Sequence, residues 1–346
     1  MPLIKTDLVV LGSGLSASIV YTHAFNKNLN TVVIDPNPRT NYPLIIEELD
    51  LGGLGKRIGI SKLPILTSNC EVCTDKTSCI CYNVQVNTLK SGDYLKKVVA
   101  YENPEEYQLP WPLYWYNNRT LCYNTLYSLF KSSSVLSPQH MIANVRVIDI
   151  ERKLIVLSNG LRILYNRLVY TWPLDRILYY IKCSSYSCGK IYQLLNALRL
   201  RAIGMFILVL ISKYRNASRE KSIVEFIHAT KASRMHTALL IPLDDSVRLL
   251  YAITSFSNRY PLLPGIVEKL YSELRKFKIL TEFDMVIHEM PITYLYGVLS
   301  KLDIALLDEL REVLINEYNI ELFGRVAEWY EYSLSELLSR KPRLLS

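Results

Sequence analysis

The apolar positions of the chain follow two periods, and where each applies predicts the elements. Leu3 to Leu11, LIKTDLVVL, ends in a continuous apolar run, which suits a strand buried on both faces of a parallel sheet. Leu15 to Asn26 carries helical spacing through Leu15, Ile19, Val20 and Ala24. Thr31 to Ile34, TVVI, reads as a second buried strand with Asp35 at its end. Further on, Phe206 to Ile211, FILVLI, is strand-like, and Leu239 to Ile241 and Val247 to Thr254 read as two strands joined across Pro242 to Ser246. Asn159-Gly160 between alternating apolar runs is a hairpin signal. Asp303 to Asn316 has the pattern of a charged amphipathic surface helix.

Length and composition narrow this further. At about 150 residues per domain, 346 residues predict two domains or one with a large insertion. Half of the residues are hydrophobic and 21% are charged, which excludes wholesale disorder. The longest uncharged apolar run, Ala202 to Ser212, falls short of the roughly 20 residues that span a bilayer. No secretory signal is read at the start, so the expectation is a cytoplasmic protein without an integral membrane segment. The net charge of +8 favours anionic partners, whether nucleotides, nucleic acid, acidic lipid or phosphorylated substrates, or marks only a generally basic surface. The basic residues are scattered, so no nucleic-acid arm is expected. Tyrosine is high at 25 and glycine low at 13, a bias read as a hint of a heat-adapted source.

The first strand runs straight into Gly12-Ser13-Gly14, and Ala17 completes a G-x-G-x-x-A fingerprint. Gly12 permits a tight turn, Gly14 lets the backbone approach a pyrophosphate, and Ala17 allows close helix–strand packing. The amides at the helix N-terminus and its positive dipole end point at the phosphates. Asp35 follows Gly12 by 23 residues, where a carboxylate binds ribose hydroxyls and disfavours a 2′-phosphate. FAD or NAD is therefore expected over NADP.

Four stretches carry a resemblance to a known family: VVLGSGLSASIV with TVVIDPNP; LGGLGKRIG at Leu51 to Gly59; Val145 to Pro173; and LFGRVAEWYEYSL at Leu322 to Leu334. They resemble the glutathione reductase-like FAD-binding flavoproteins, within them the UDP-galactopyranose mutase, amine oxidase and protoporphyrinogen oxidase branch. The resemblance implies an α/β fold: a discontinuous Rossmann-like FAD-binding domain of residues 1–60, 136–182 and 292–346, and a second, α+β substrate domain of residues 61–135 and 183–291. It implies cofactor contacts from Gly12, Ser13, Gly14, Leu15, Ser16 and Ala17, from Asp35 and Pro36, and from the paired glycines Gly52 and Gly53. Val145 matches the position whose backbone meets adenine, and Thr171 belongs to the Thr-x-Pro exit from the FAD domain. Gly324 and Arg325 form the C-terminal turn, and Ser333 and Leu334 open the helix that faces the flavin. Ser333 stands where the family has Asn or Asp, and Ser333 with Glu336 fits a capping box.

The resemblance implies a flavoenzyme working at the flavin N5 on a small molecule bound between the two domains. It leaves open an oxidoreductase or a mutase-like isomerase. The arginines that hold substrate diphosphate in the mutases have no recognisable match, although Arg119, Arg234, Arg248 and Arg259 are present. No catalytic residue is assigned, and His228 and His236 read as core or surface residues. A non-catalytic FAD- or dinucleotide-binding protein and an NAD-dependent oxidoreductase stand as alternatives.

Seven cysteines remain. Cys70, Cys73, Cys79 and Cys81 could meet a structural Zn²⁺ at about 2.3 Å per bond, or equally form two local disulfides. Cys183 and Cys188 could close a separate small disulfide loop. Residues 104–116, with three prolines and five aromatics, read as a loop or short helix entry.

Overall fold

The computed structural model describes residues 2–36, 65–67, 79–83, 90–110, 120–124, 140–184, 186–213, 225–228, 231–242, 247–332 and 334–345. In chain order the elements begin with β1 (Leu3–Leu11), α1 (Leu15–Asn26), β2 (Thr31–Ile34), β3 (Ile65–Thr67), β4 (Cys79–Asn83), α2 (Ser91–Val98) and β5 (Thr120–Asn124). Next come β6 (His140–Met141), β7 (Val145–Asp149), β8 (Leu154–Leu157), β9 (Arg162–Tyr170), β10 (Ile181–Lys182), α3 (Tyr186–Leu198), β11 (Ala202–Lys213) and β12 (Glu225–His228). The last are β13 (Thr237–Pro242), β14 (Val247–Phe256), α4 (Ile266–Lys276), β15 (Met285–Leu299), α5 (Ile304–Tyr318), β16 (Ile320–Leu322) and α6 (Leu334–Ser339). The chain divides into two units: Met1–Asn41, Ser128–Arg201 and Lys301–Ser346 form the first, Tyr42–Tyr127 and Ala202–Ser300 the second.

The first unit is a Rossmann-like α/β body on an eight-stranded sheet of order β10-β7-β8-β9-β1-β2-β6, with β16 also pairing β9. β1 is parallel to β2 and β9, and β2 is parallel to β6. β7, β8 and β9 form an antiparallel meander, and Gly160 turns it with φ +83° at the Asn159-Gly160 hairpin. The apolar run of β1 is explained by its position: Leu8 to Leu11 are wholly buried. Helix α5 starts where Asp303 accepts from the N–H groups of Ala305 and Leu306 at 2.9 and 3.4 Å. Its last residue is Tyr318, two beyond the span expected from spacing, and Asn319 caps it in the left-handed region. Its face of Leu307, Leu310, Val313 and Leu314 is buried, as periodicity requires.

The second unit carries a five-stranded antiparallel sheet of order β12-β13-β14-β11-β15 and a three-stranded one of order β3-β5-β4. Strand β11 explains FILVLI. Ile203, Met205, Ile207, Val209 and Ile211 join one buried cluster with Tyr94 and Val98 of α2. Phe206, Leu208 and Leu210 join another with Leu270 and Leu274 of α4. A strand covered on both faces loses the polar alternation of a half-exposed one.

Several polar groups buried in this unit are hydrogen-bonded, while Tyr251 Oη and Arg234 Nε are buried without a hydrogen-bond partner among the described residues. Lys97 Nζ donates to Ser233 Oγ and the Met235 carbonyl, both at 2.8 Å. The Glu273 carboxylate accepts from the N–H groups of Arg234 and Met235 at 2.6 and 2.8 Å. His236 is a buried core histidine, with Nδ1 2.9 Å from Thr237 Oγ1 and Nε2 3.2 Å from Ser255 Oγ. Arg248 pairs with Asp284 at 2.9 Å, and Arg234 lies 3.5 Å over the Tyr260 ring. Arg259 is exposed, and Arg119 lies outside the described residues.

Cys183 and Cys188 are joined as a disulfide with Cα atoms 6.0 Å apart. Cys70 and Cys73 lie outside the described residues, while Cys79 and Cys81 sit on β4, in register with Asn124 and Cys122 of β5. Among the described residues, no group of three or more His, Cys, Asp or Glu is arranged to hold a metal, so the structural Zn²⁺ finds no support there. Of residues 104–116, Pro104–Glu106 form a short 3-10 turn capped by Asn103, Tyr107 is buried, and those from 111 onward lie outside the described residues. No helix among the described residues is long and apolar enough to cross a membrane.

Burial lowers the Lys97 amine to about 8. The ordinary lysine value is about 10.4. Between these two pH values the unfolded chain holds a proton that the folded chain lacks, so this group makes stability rise with pH. The unfolding free energy of the wild type relative to Lys97→Met should therefore increase from about pH 8 to about pH 10.4. A flat difference across that window, measured by denaturant titration, would contradict the burial of the amine.

Candidate dinucleotide site

The site begins where β1 ends. Gly12 has φ +114°, and a Cβ there would collide with Thr171 Oγ1 and lie 3.3 Å from Trp172 Cδ1. Only glycine meets both the dihedral and the approach. The Gly12 N–H donates to the Ile34 carbonyl at 2.8 Å, which draws the turn over β2. Thr171 follows β9 and is itself spent on β1: its N–H and Oγ1 donate to the Leu11 carbonyl at 3.1 and 2.6 Å.

Ser13 and Asp35 meet directly. The Ser13 N–H and Oγ both donate to Asp35 Oδ2, at 2.7 and 2.9 Å. Asp35 is buried, and its own N–H donates to the Met141 carbonyl of β6 at 3.1 Å. Val145 opens β7 four residues after Met141 and is buried. Pro36 is exposed beside Asp35.

Gly14 is the N-cap of α1, with extended backbone, no side-chain cap and no acidic residue in the first turn. The leading amides of a helix lack intrahelical acceptors, and together with the dipole they make an anion-accepting end. Leu15 and Ala17 are buried, which ties the helix to the sheet. Backbone and charge at this end fit a pyrophosphate group.

The C-terminal turn comes to the same place. Gly324 has φ +99°, and a Cβ there would collide with the Ser16 side chain. The first turn of α1 and the Gly324 turn are therefore in contact within the first unit. The Phe323 N–H donates to the Tyr170 carbonyl and the Leu174 N–H to the Val326 carbonyl, both at 3.0 Å, lashing the turn to the end of β9. Arg325 is held by a two-pronged pair to the buried Glu331, with Nε and Nη2 each 2.7 Å from a carboxylate oxygen.

The structure thus brings together Gly12, Ser13, Gly14, Ser16, Asp35, Thr171 and Gly324, and carries Arg325 beside them. Leu334 begins α6, while Ser333, Gly52 and Gly53 lie outside the described residues. Glu328 lies in the C-terminal stretch that carries the resemblance and matches it without a role assigned; sequence reasoning missed Glu331, whose only signal is an acidic residue inside an aromatic segment. Glu328 accepts the Gly324 N–H at 2.8 Å. Burial raises the Glu328 carboxyl above its ordinary range, against the lowering effect of the Gly324 N–H, Arg340, Arg311 and Tyr332.

The fold belongs to the class of two-part flavoprotein-type architectures, in which a Rossmann-like sheet is interrupted by a second sheet unit. Among solved structures, a reduced UDP-galactopyranose mutase superposes with a TM-score of 0.70 at 13% identity, covering 96% of this chain and 93% of that one. A putrescine oxidase variant superposes at 0.52 with 10% identity over 93% of both chains, and the putrescine-bound wild type at 0.51 with 10% identity over the same shares. No family model matches the chain, and no curated protein matches it by sequence.

The Gly324–Ser16 approach is open to a direct check. Gly324→Ala should destabilise the chain by about 2–4 kcal/mol, through overpacking and a left-handed φ. Adding Ser16→Gly should recover part of that loss, because it removes the colliding side chain. Equal stability of Gly324→Ala and wild type in chemical denaturation would refute the contact.

Proposed function

We propose that the chain is an FAD-dependent flavoenzyme acting on a small molecule, with the first unit as its FAD-binding domain. The observation that carries this reading is the contact of two sequence-distant segments, the Gly12–Ala17 turn and helix and the Gly324 turn. A dinucleotide needs only the first; a flavin half needs a second anchor.

In this reading the amides of Gly14, Leu15, Ser16 and Ala17 receive the pyrophosphate, on a turn that Gly12 and Ser13 shape through their bonds to Ile34 and Asp35. Asp35, held by Ser13, supplies the carboxylate for a ribose hydroxyl, and its charge repels a 2′-phosphate. Val145 and Pro36 flank the adenosine end. Gly324 and Arg325, with Gly52, Gly53, Ser333 and Leu334, enclose the flavin end. Arg325 acts there by holding the turn through Glu331 rather than as a free cation. Bound there, FAD would supply hydride or electron transfer through its N5. The chain's part is to orient the ring and, with the α1 dipole, to favour negative charge on the bound phosphates. Likeness to the mutase and oxidase structures supports the flavoenzyme class, with an oxidoreductase and a mutase-like isomerase both open to it.

The test is release of the cofactor from the purified protein, its identification, and anaerobic reduction of the holoprotein. FAD at about one per chain, reduced by dithionite and lost in a folded Gly14→Val variant, is the expected result. A folded wild-type chain that neither carries FAD nor takes it up would overturn the reading.

A further inference from the structure

Glu328 gathers more segments of the first unit than any one contact of the Gly324 turn requires. Its Oε2 accepts the Gly324 N–H at 2.8 Å. Its Oε1 accepts from Tyr332 Oη at 3.1 Å and from Arg340 Nη2, beyond α6. Its backbone carbonyl accepts from Arg311 Nη2 of α5 at 2.7 Å. The Arg340 guanidinium also lies 4.5 Å over the Tyr332 ring. The side chain of Glu328 is buried, whereas that of Arg340 is part-exposed. A buried carboxylate with both oxygens engaged fixes the geometry of whatever donates to it. Here that donor is the amide of Gly324, the residue whose backbone touches Ser16 at the head of α1.

We propose that Glu328 is a positioning residue for the cofactor: its carboxylate locks the Gly324 turn against the first turn of α1 and so sets the affinity for FAD. This rests on the flavin reading above. The side chain touches neither the head of α1 nor the fingerprint glycines. It acts through the Gly324 amide, with Arg340 and Tyr332 holding the opposite oxygen. Glu321 provides an internal contrast. It is also a buried carboxylate of the same unit, but it accepts from the N–H groups of Arg343 and Leu344 at 2.7 and 2.9 Å, on the terminal segment. A general loss of stability would follow from either residue; a loss of cofactor affinity should follow from Glu328 alone.

The experiment uses the full chain as wild type, Glu328→Gln, Glu321→Gln, Arg340→Met and the Glu328→Gln/Arg340→Met double variant. FAD affinity is measured by fluorescence titration of apoprotein, thermal stability alongside it, and amide hydrogen exchange of the peptide holding residues 323–329 without FAD. Glu328→Gln should weaken FAD binding about tenfold or more and speed exchange of the Gly324 amide. Glu321→Gln should lower the melting temperature while leaving FAD affinity within about twofold. The double variant should regain part of the affinity, because Gln no longer leaves Arg340 facing a lost charge. Should Glu328→Gln fail to fold, Arg340→Met must show the same two effects in weaker form. FAD affinity in Glu328→Gln equal to a wild type that binds FAD, or a loss matched by Glu321→Gln, would overturn the proposal alone. A wild type that binds no FAD would overturn the flavin reading and this proposal with it.

Discussion

The missing side chain at Gly12 is the constraint on which the first unit turns. With a Cβ there, Thr171 could not reach the Leu11 carbonyl, and β1 and β9 could not stay paired to their last residues. That pairing carries the rest. β9 delivers Tyr170, whose carbonyl holds Phe323, and Phe323 leads into the Gly324 turn. The second close approach, Gly324 on Ser16, depends on the first. Two glycines far apart in sequence, each with positive φ, thereby shape one backbone surface at the head of α1.

Much of this was legible in the chain. β1, α1 and β2 stand at the residues their periodicity marks, because buried strands leave continuous apolar runs and Leu15, Ile19, Val20 and Ala24, buried in α1, recur at helical spacing. Asp35 was legible as an acidic residue at a strand end. Its bond to Ser13 was not, since fingerprint patterns define spacing and not hydrogen-bond partners. The span of α5 was read two residues short, because its end is set by the left-handed Asn319 and not by a break in periodicity. Gly324 was recognisable as a turn residue, but nothing local indicates that its neighbour is Ser16. Glu328 matches the C-terminal motif, but its partners, like Glu331 itself, were invisible for the same reason: buried acids take their meaning from partners that only the tertiary fold supplies.

The second unit arranges such partners within its own core. Of the arginines that the sequence offers, Arg248 is committed to Asp284 and Arg234 is stacked on Tyr260. His236 is bonded through both ring nitrogens inside the sheet. These groups are held by partners within that unit, although Arg234 Nε is buried without one among the described residues. The candidate surface of the first unit is mostly backbone: glycine turns and helix-leading amides.

The central claim is that one ligand is gripped at two turns that the fold brings together. Hydrogen exchange of the peptides spanning residues 11–17 and 322–330, with and without FAD, tests it most directly. The account predicts that FAD protects both peptides together, whereas ADP protects the first more than the second. Protection of the first peptide alone by FAD would contradict it.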